Sequence, residues 1–238
     1  MTRHDAVEEA AVWLEVNGES AVTWMCTPDQ LPELVTGWLY GEGYIDSLAD
    51  LLSLRPCALE LGFWAKVPHE RYETVEGTER RRVLASGCGA VTTILGSLSN
   101  VPRRTTPPVI PDLAHTRKLF KELFAKGVRY SETGGIHAAA LTDGETLLAH
   151  AEDIGRHNAV DKVLGAMLMA GRRPDDLTLL VTGRISGELA FKAARARLAV
   201  VATPSVPSTL AVEIANAAGM ALVGRAVSGE PQVWMAGE

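Results

Sequence analysis

The sequence predicts an α/β protein, a three-layer α/β sandwich with a smaller β-rich part ahead of it. From residue 177 onward, short apolar runs alternate regularly with amphipathic helical ones, as strands feeding crossover helices do. Two dipeptides, Asn17-Gly18 and Asp143-Gly144, mark tight hairpins. A chain of 238 residues, 47% apolar and 22% charged, is long enough for one large or two small domains with a real core.

Taken in order, residues 10–16 alternate, Asn17-Gly18 turns the chain and residues 21–26 return as the second strand of a hairpin. Thr27 and Gln30 then have capping-box spacing with Pro28 at the first helical position. Leu31, Leu34, Val35, Trp38 and Leu39 form the apolar face of that helix, which Gly41 or Gly43 ends. Residues 52–67 read as strand, interrupted at Pro56, and residues 69–82 are polar. These elements make an N-terminal part, 1–85. A segment rich in Gly, Ser, Thr and Pro, 86–111, follows and is expected to be mobile around Cys88. The α/β part, 112–238, opens at Asp112 with a helix that turns Leu113, Leu119, Phe120, Leu123 and Phe124 inward and closes at Gly127. After the Asp143-Gly144 hairpin, Asn158 is placed to cap a helix in which Ala159, Val160, Val163, Leu164, Met167 and Leu168 recur before Gly171. Strand 177–181, helix 186–197, strand 198–203, helix 208–218 and strand 221–227 complete the pattern.

Composition excludes several classes. A formal net charge of -6, with only Arg80-Arg81-Arg82 and Arg103-Arg104 as basic clusters, argues against a nucleic-acid partner. No apolar stretch approaches the roughly 20 residues of a membrane span, and Met1-Thr2-Arg3-His4-Asp5 leads into no signal-peptide core, so a cytoplasmic protein is expected. Three cysteines are too few for a disulfide framework. Cys26 and Cys57, in apolar strand-like contexts, read as buried small hydrophobes.

The densest chemistry lies in Glu152-Asp153-Ile154-Gly155-Arg156-His157-Asn158-Ala159-Val160-Asp161-Lys162, where a loop becomes a helix. Arg156, His157 and Lys162 at a helix N-terminus suit a phosphate or pyrophosphate. Glu152, Asp153 and Asp161 either hold those cations or accept hydrogen bonds from a base or sugar, and a solvated helix start with local ion pairs is equally open. Two further turns stand at strand ends. One carries Thr133, Gly134, Gly135 and His137, and the other carries Gly183, Arg184 and Ser186. Glycines there let backbone N–H groups approach phosphate oxygens, and three such turns can converge on one pocket. Taken singly, His137 also reads as a hydrogen-bonded core residue and Arg184 as the partner of Glu188. A zinc hydrolase lacks its ligands, since His137-Ala138-Ala139 has no Glu base and no later Cys-x-x-Cys exists. Gly183-Arg184-Ile185-Ser186-Gly187 is not the elbow of a serine hydrolase.

With these residues in view, the chain resembles the formate dehydrogenase accessory family of sulfur carriers over nearly its whole length. Thr133 to Ala139, Glu152 to Lys162, and Gly183-Arg184-Ile185-Ser186 with Glu188 and Lys192 carry the likeness, with weaker agreement at Thr27-Pro28 and Thr209-Leu210-Ala211-Val212. The resemblance implies a fold similar to cytidine deaminases and a sulfurtransferase-like carrier, often a homodimer, with no metal of its own. It implies that Cys88 takes persulfide sulfur from a cysteine desulfurase. That sulfur passes to the molybdenum cofactor, as bis(molybdopterin guanine dinucleotide), before formate dehydrogenase receives the cofactor. Guanine-nucleotide binding then falls to the three turns and to an aligned C-terminal stretch, Arg225-Ala226-Val227-Ser228-Gly229-Glu230. Arg80 to Arg82, Arg103 and Arg104 are suited to lowering the Cys88 pKa or attracting a phosphate-bearing acceptor.

The chain departs from the family in three places. The usual Cys-x-x-Cys pair is reduced to Cys88, with Val91 at the second position. Arg225 replaces an aromatic residue, and Glu230 replaces a basic one, where it would repel a phosphate. Val206-Pro207-Ser208 stands where Ser-Ala-Pro is typical, leaving Ser205 to supply the hydroxyl. A cofactor-binding chaperone that no longer transfers sulfur is therefore the alternative.

Overall fold

Alternation in the first residues becomes the first sheet. In the computed structural model, which describes residues 6–77, 81–84, 91–94 and 101–236, β1 (Ala10–Val16) buries Val12, Leu14 and Val16 on one face. It pairs antiparallel with β2 (Glu19–Cys26) through a turn in which Asn17 and Gly18 both take positive φ, the geometry that makes Asn-Gly the preferred hairpin pair. β3 (Ser53–Pro56) and β4 (Gly62–Lys66) complete the sheet, in the order β2-β1-β4-β3.

The helix α1 (Leu31–Glu42) packs its buried face, including Leu34, Val35, Trp38 and Leu39, into one core with the inward residues of this sheet. Gly43, at φ 92, ends it. The expected capping box is not formed. Gln30, left-handed at φ 47, occupies the cap position, Pro32 lies in the first turn, and Thr27 and Pro28 precede the helix. Thr27 is drawn instead into contacts with residues far along the chain.

Polar residues 69–76 form α2 (His69–Glu76), and β5 (Arg81–Leu84) pairs with β6 (Val91–Ile94). Cys88 falls between those two strands in sequence, outside the described residues. At the end of the segment expected to be mobile, the chain is anchored. Val101 is buried in the core, and Arg104 bonds Asp176 and the carbonyl of Arg197.

Asp112 caps α3 (Leu113–Lys126), accepting from the His115 N–H at 2.8 Å. A short helix that sequence reading took for a turn, α4 (Val128–Thr133), follows and ends at left-handed Gly134. β7 (His137–Thr142), β8 (Leu147–Asp153), β9 (Thr178–Val181), β10 (Val200–Ala202), β11 (Ala221–Gly224) and β12 (Gln232–Trp234) make the second sheet, in the order β12-β11-β10-β9-β7-β8. The three central strands β9, β10 and β11 run parallel, and the outer pairings are antiparallel.

Both faces of this sheet are covered, which is why its strands read as continuous apolar runs. Ala139, Leu141, Leu179 and Val181 share a core with α5 (Arg156–Met169), α6 (Gly187–Arg195) and α7 (Thr209–Ala218), while Ala138, Ala140 and Leu180 share another with Leu119, Phe120 and Leu123 of α3. The protein is thus mixed α/β. Helix α1 lies against α5 so closely that Gly37 and Gly165 are obligatory. A Cβ on Gly37 would stand 1.8 Å from the carbonyl oxygen of Asp161, and one on Gly165 would stand 1.9 Å from that of Glu33. One core therefore runs unbroken from the first sheet through α1 and α5 to the second.

Two further boundaries differ from expectation. Helix α5 starts at Arg156 with Gly155 as its cap, so Asn158 lies inside the first turn and caps nothing. The last expected strand, 221–227, stops at Gly224 because Arg225 turns left-handed at φ 53, and the chain returns as β12.

Candidate functional site

The sheet brings five loops to one edge. The carboxyl ends of β9, β10 and β11 lie there, beside the end of β8 and the start of antiparallel β7. Helices α5, α6 and α7 begin on the same side. Open α/β sheets bind ligands at such an edge, and three helix starts add positive partial charge. Ser186 and Ser208 cap α6 and α7 through their hydroxyls, whereas Gly155 gives α5 no side-chain acceptor.

His137, Arg156 and Gly183 meet at this edge. Gly183 takes φ 88, and a Cβ there would lie 3.2 Å from His137 Cε1 and 3.9 Å from Arg156 Cδ. Thr182 Oγ1 accepts the Ala138 N–H at 2.9 Å and lies 3.3 Å from His137 Nδ1, while Thr203 donates to the Gly183 carbonyl. Burial, then the charge of Arg156, lowers the His137 pKa, so the neutral imidazole is the resting form. Thr133 and Gly134 close α4, and Gly135 leads into His137. Arg184 is exposed on the same loop, and Glu188 pairs not with it but with His157.

Behind these residues lies a buried polar layer. His157 Nε2 is 3.2 Å from Ser186 Oγ and 3.6 Å from Glu188 Oε2. Burial, then the charges of Lys192 and Arg156, holds its pKa down at about 3. Lys192 Nζ is 2.6 Å from each carboxylate oxygen of Asp161. Burial opposes the Lys192 charge, but Asp161 and Glu42 outweigh it and raise its pKa, while burial pushes the Asp161 carboxyl up to about 7.

A second buried knot ties α5 to the N-terminal part. Lys162 Nζ, wholly buried, lies 2.7 Å from Asp29 Oδ1 and 2.8 Å from Asp153 Oδ2, and donates to the carbonyls of Thr27 and Glu152. Asp153 also accepts from the N–H groups of Thr27 and Gly155 and from Asn158 Nδ2, and Asn158 donates in addition to the Met25 carbonyl. Lys162 and Asn158 are thereby committed to the interior. Asp161 is committed to Lys192. Glu152 caps α4, accepting from the N–H groups of Arg129 and Tyr130 at 3.0 Å each.

The C-terminal stretch leaves β11 at the same edge. The Arg225 N–H bonds the Ser205 carbonyl, and that of Ala226 bonds the Thr203 carbonyl. Arg225, Ser228, Gly229 and Glu230 are exposed, Val227 is half-buried, and Arg117 of α3 holds the Gly229 carbonyl at 2.9 Å. Sequence reasoning placed Thr182 in the turn after β9 without giving it a role, and missed Thr203 and Asp29. Their partners lie 20 to 133 residues away, so no local pattern marks them.

Of the cysteines, Cys26 is buried, and burial, then Asp153, pushes its thiol up to about 12. Cys57 is only half-buried and lines a shallow hollow with Trp13, Leu59 and Trp64, contrary to its reading as a core residue. No helix among the described residues is long and apolar enough to cross a membrane.

The chain matches a known family over most of its length. The family model described as "FdhD/NarQ family" matches residues 7–238. A sulfur carrier protein FdhD from Corynebacterium efficiens is 36% identical over 241 residues, covering 94% of this chain and 86% of the relative. One from Staphylococcus aureus (strain MRSA252) is 34% identical over 230 residues, covering 94% and 84%. A crystal structure from Desulfotalea psychrophila, assigned to a formate dehydrogenase accessory protein, superposes with a TM-score of 0.74 at 23% identity, covering 97% of this chain and 88% of that one. At that identity the superposition speaks for the fold.

Proposed function

We propose that this chain, which belongs to the FdhD/NarQ family, is a sulfur carrier serving the maturation of a formate dehydrogenase. In this reading Cys88 receives persulfide sulfur from a cysteine desulfurase. The sheet edge holds the guanine-dinucleotide form of the molybdenum cofactor, which is cargo to be sulfurated. A cytoplasmic setting, a homodimer and a likeness of the α/β part to cytidine deaminases belong to the same reading.

The observation that carries it is the meeting of His137, Arg156 and Gly183 at an edge where three helices begin. A pyrophosphate is the ligand chemistry such an edge favours, because backbone N–H groups, a guanidinium and the helix dipoles all favour an anion. One feature favours the chaperone alternative: Val91 takes the second cysteine's position and is paired with Leu84 in a strand ladder. A resolving thiol is then missing locally, although one thiolate suffices to carry a persulfide.

Intact mass spectrometry after incubation with a cysteine desulfurase and cysteine separates the two readings. A gain of about one sulfur atom, lost in Cys88→Ser, supports the carrier. No gain beside an active desulfurase leaves the chaperone.

A further inference from the structure

We propose that His157 is the proton-accepting group of this edge, so that a phosphate-bearing ligand binds together with a proton and Glu188 serves as the buried counter-ion. The inference rests on the edge being a pyrophosphate site and adds how that site is regulated.

The geometry starts from His157 itself. Its side chain is 4% exposed, and Nδ1 has no hydrogen-bond partner among the described residues. This nitrogen can therefore take up a proton without breaking an existing hydrogen bond. The other ring nitrogen already faces a carboxylate, that of Glu188, whose side chain is 6% exposed. A buried carboxylate is a ready partner for an imidazolium.

Burial does most to keep the proton off, followed by Lys192 on α6, Arg156 on α5 and, when charged, His137 on β7. The remaining charges nearby are already committed. Asp161 holds Lys192 with Glu42 close to both, and Asp153 holds Lys162 and Asn158. A phosphate arriving beside Arg156 offsets the repulsion of that guanidinium and leaves His157 facing Glu188. The proton comes from solvent and settles on the imidazole. No bond to the ligand forms or breaks.

Titration calorimetry of GDP into the full-length protein, in buffers of different ionisation enthalpy, reads the protons taken up per GDP bound. Wild type is expected to take up more protons per GDP than His157→Gln, with the difference growing as the pH is lowered from 7 toward 5, and the subtraction removes the phosphate's own titration. Glu188→Gln, which keeps the imidazole but loses the counter-ion, lowers the uptake likewise. Because substitutions in a buried cluster can unsettle the fold, side-chain ¹⁵N shifts of the wild-type histidines give an independent readout, with the His157 nitrogens moving to imidazolium positions on GDP addition. GDP binding with equal uptake in wild type and His157→Gln, and with unmoved His157 nitrogens, overturns the inference and spares the site. If GDP produces neither heat nor shift changes, the site reading falls and this inference falls with it.

Discussion

Gly37→Ala tests the closest contact in the molecule. A methyl group on Gly37 would lie 1.8 Å from the Asp161 carbonyl oxygen, 2.6 Å from its carbon and 2.8 Å from the Gly165 nitrogen. All three are backbone atoms of α5, so no rotamer change relieves the clash, and the helices must part by at least about 1.5 Å before ordinary contact returns. Alanine gains about 1 kcal/mol of helix propensity over glycine. Overpacking a close-set contact typically costs about 1–3 kcal/mol, and a contact of backbone on backbone belongs at or above the top of that range. A net loss of about 2 kcal/mol or more follows, which for a chain of this size lowers Tm by about 4–8 °C. Gly41→Ala in the same helix is the control. Its methyl would meet only methylenes of the Lys192 side chain, the nearest at 3.2 Å, so the same propensity gain meets a smaller penalty. Urea denaturation followed by circular dichroism gives both numbers. Equal stabilities for the two variants, or a Gly37→Ala protein as stable as wild type, would show that α1 and α5 do not touch as described.

Four other outcomes are expected. Lys162→Met leaves the wholly buried Asp153 without its cation, while Asp29 keeps Arg129, and should cost about 3–5 kcal/mol in the same assay; a loss below about 1 kcal/mol removes the knot from the account of stability. The His157 pKa is depressed to about 3, so the unfolded chain binds the proton first as pH falls, and stability from this group is lost below about pH 6.5. Relative to His157→Gln, wild type should lose about 2 kcal/mol between pH 7 and 5, a difference that cancels the opposite drift from Asp161; parallel pH curves for the two proteins contradict the assignment. Cys26, with its thiol pushed up to about 12, should escape alkylation at pH 8 until the protein unfolds, as peptide mapping will show, and rapid labelling in the native state would contradict its burial. Gly183→Ala, forced into positive φ and against His137, should cost about 1–2 kcal/mol and weaken GDP binding, and unchanged affinity would place the ligand elsewhere.

Much of the fold was legible in the sequence because its signals are local. Asn17-Gly18 and Asp143-Gly144 turn where they should, and Asp112, Ser186 and Ser208 cap helices within three residues of their partners. The alternation after residue 177 gives the parallel strands and their helices. The three turns that sequence reading singled out do end at one sheet edge. What it could not give was the division of labour within the charged motif. Thr27 looked like a cap, yet its N–H bonds Asp153, 126 residues away; Asn158 also looked like a cap, yet it bonds Met25, 133 residues back; Lys162 looked like a phosphate ligand, yet it donates to Thr27, 135 residues back. A capping or turn rule reads neighbours along the chain, and these side chains are claimed by partners that only folding brings near. Buried charges admit few alternatives, so once packing carries Lys162 and Asp161 into the interior, they must be matched there. The sequence by itself thus determined the elements and the chemistry available at this edge. Tertiary packing decided which of those groups face a ligand and which hold the protein together.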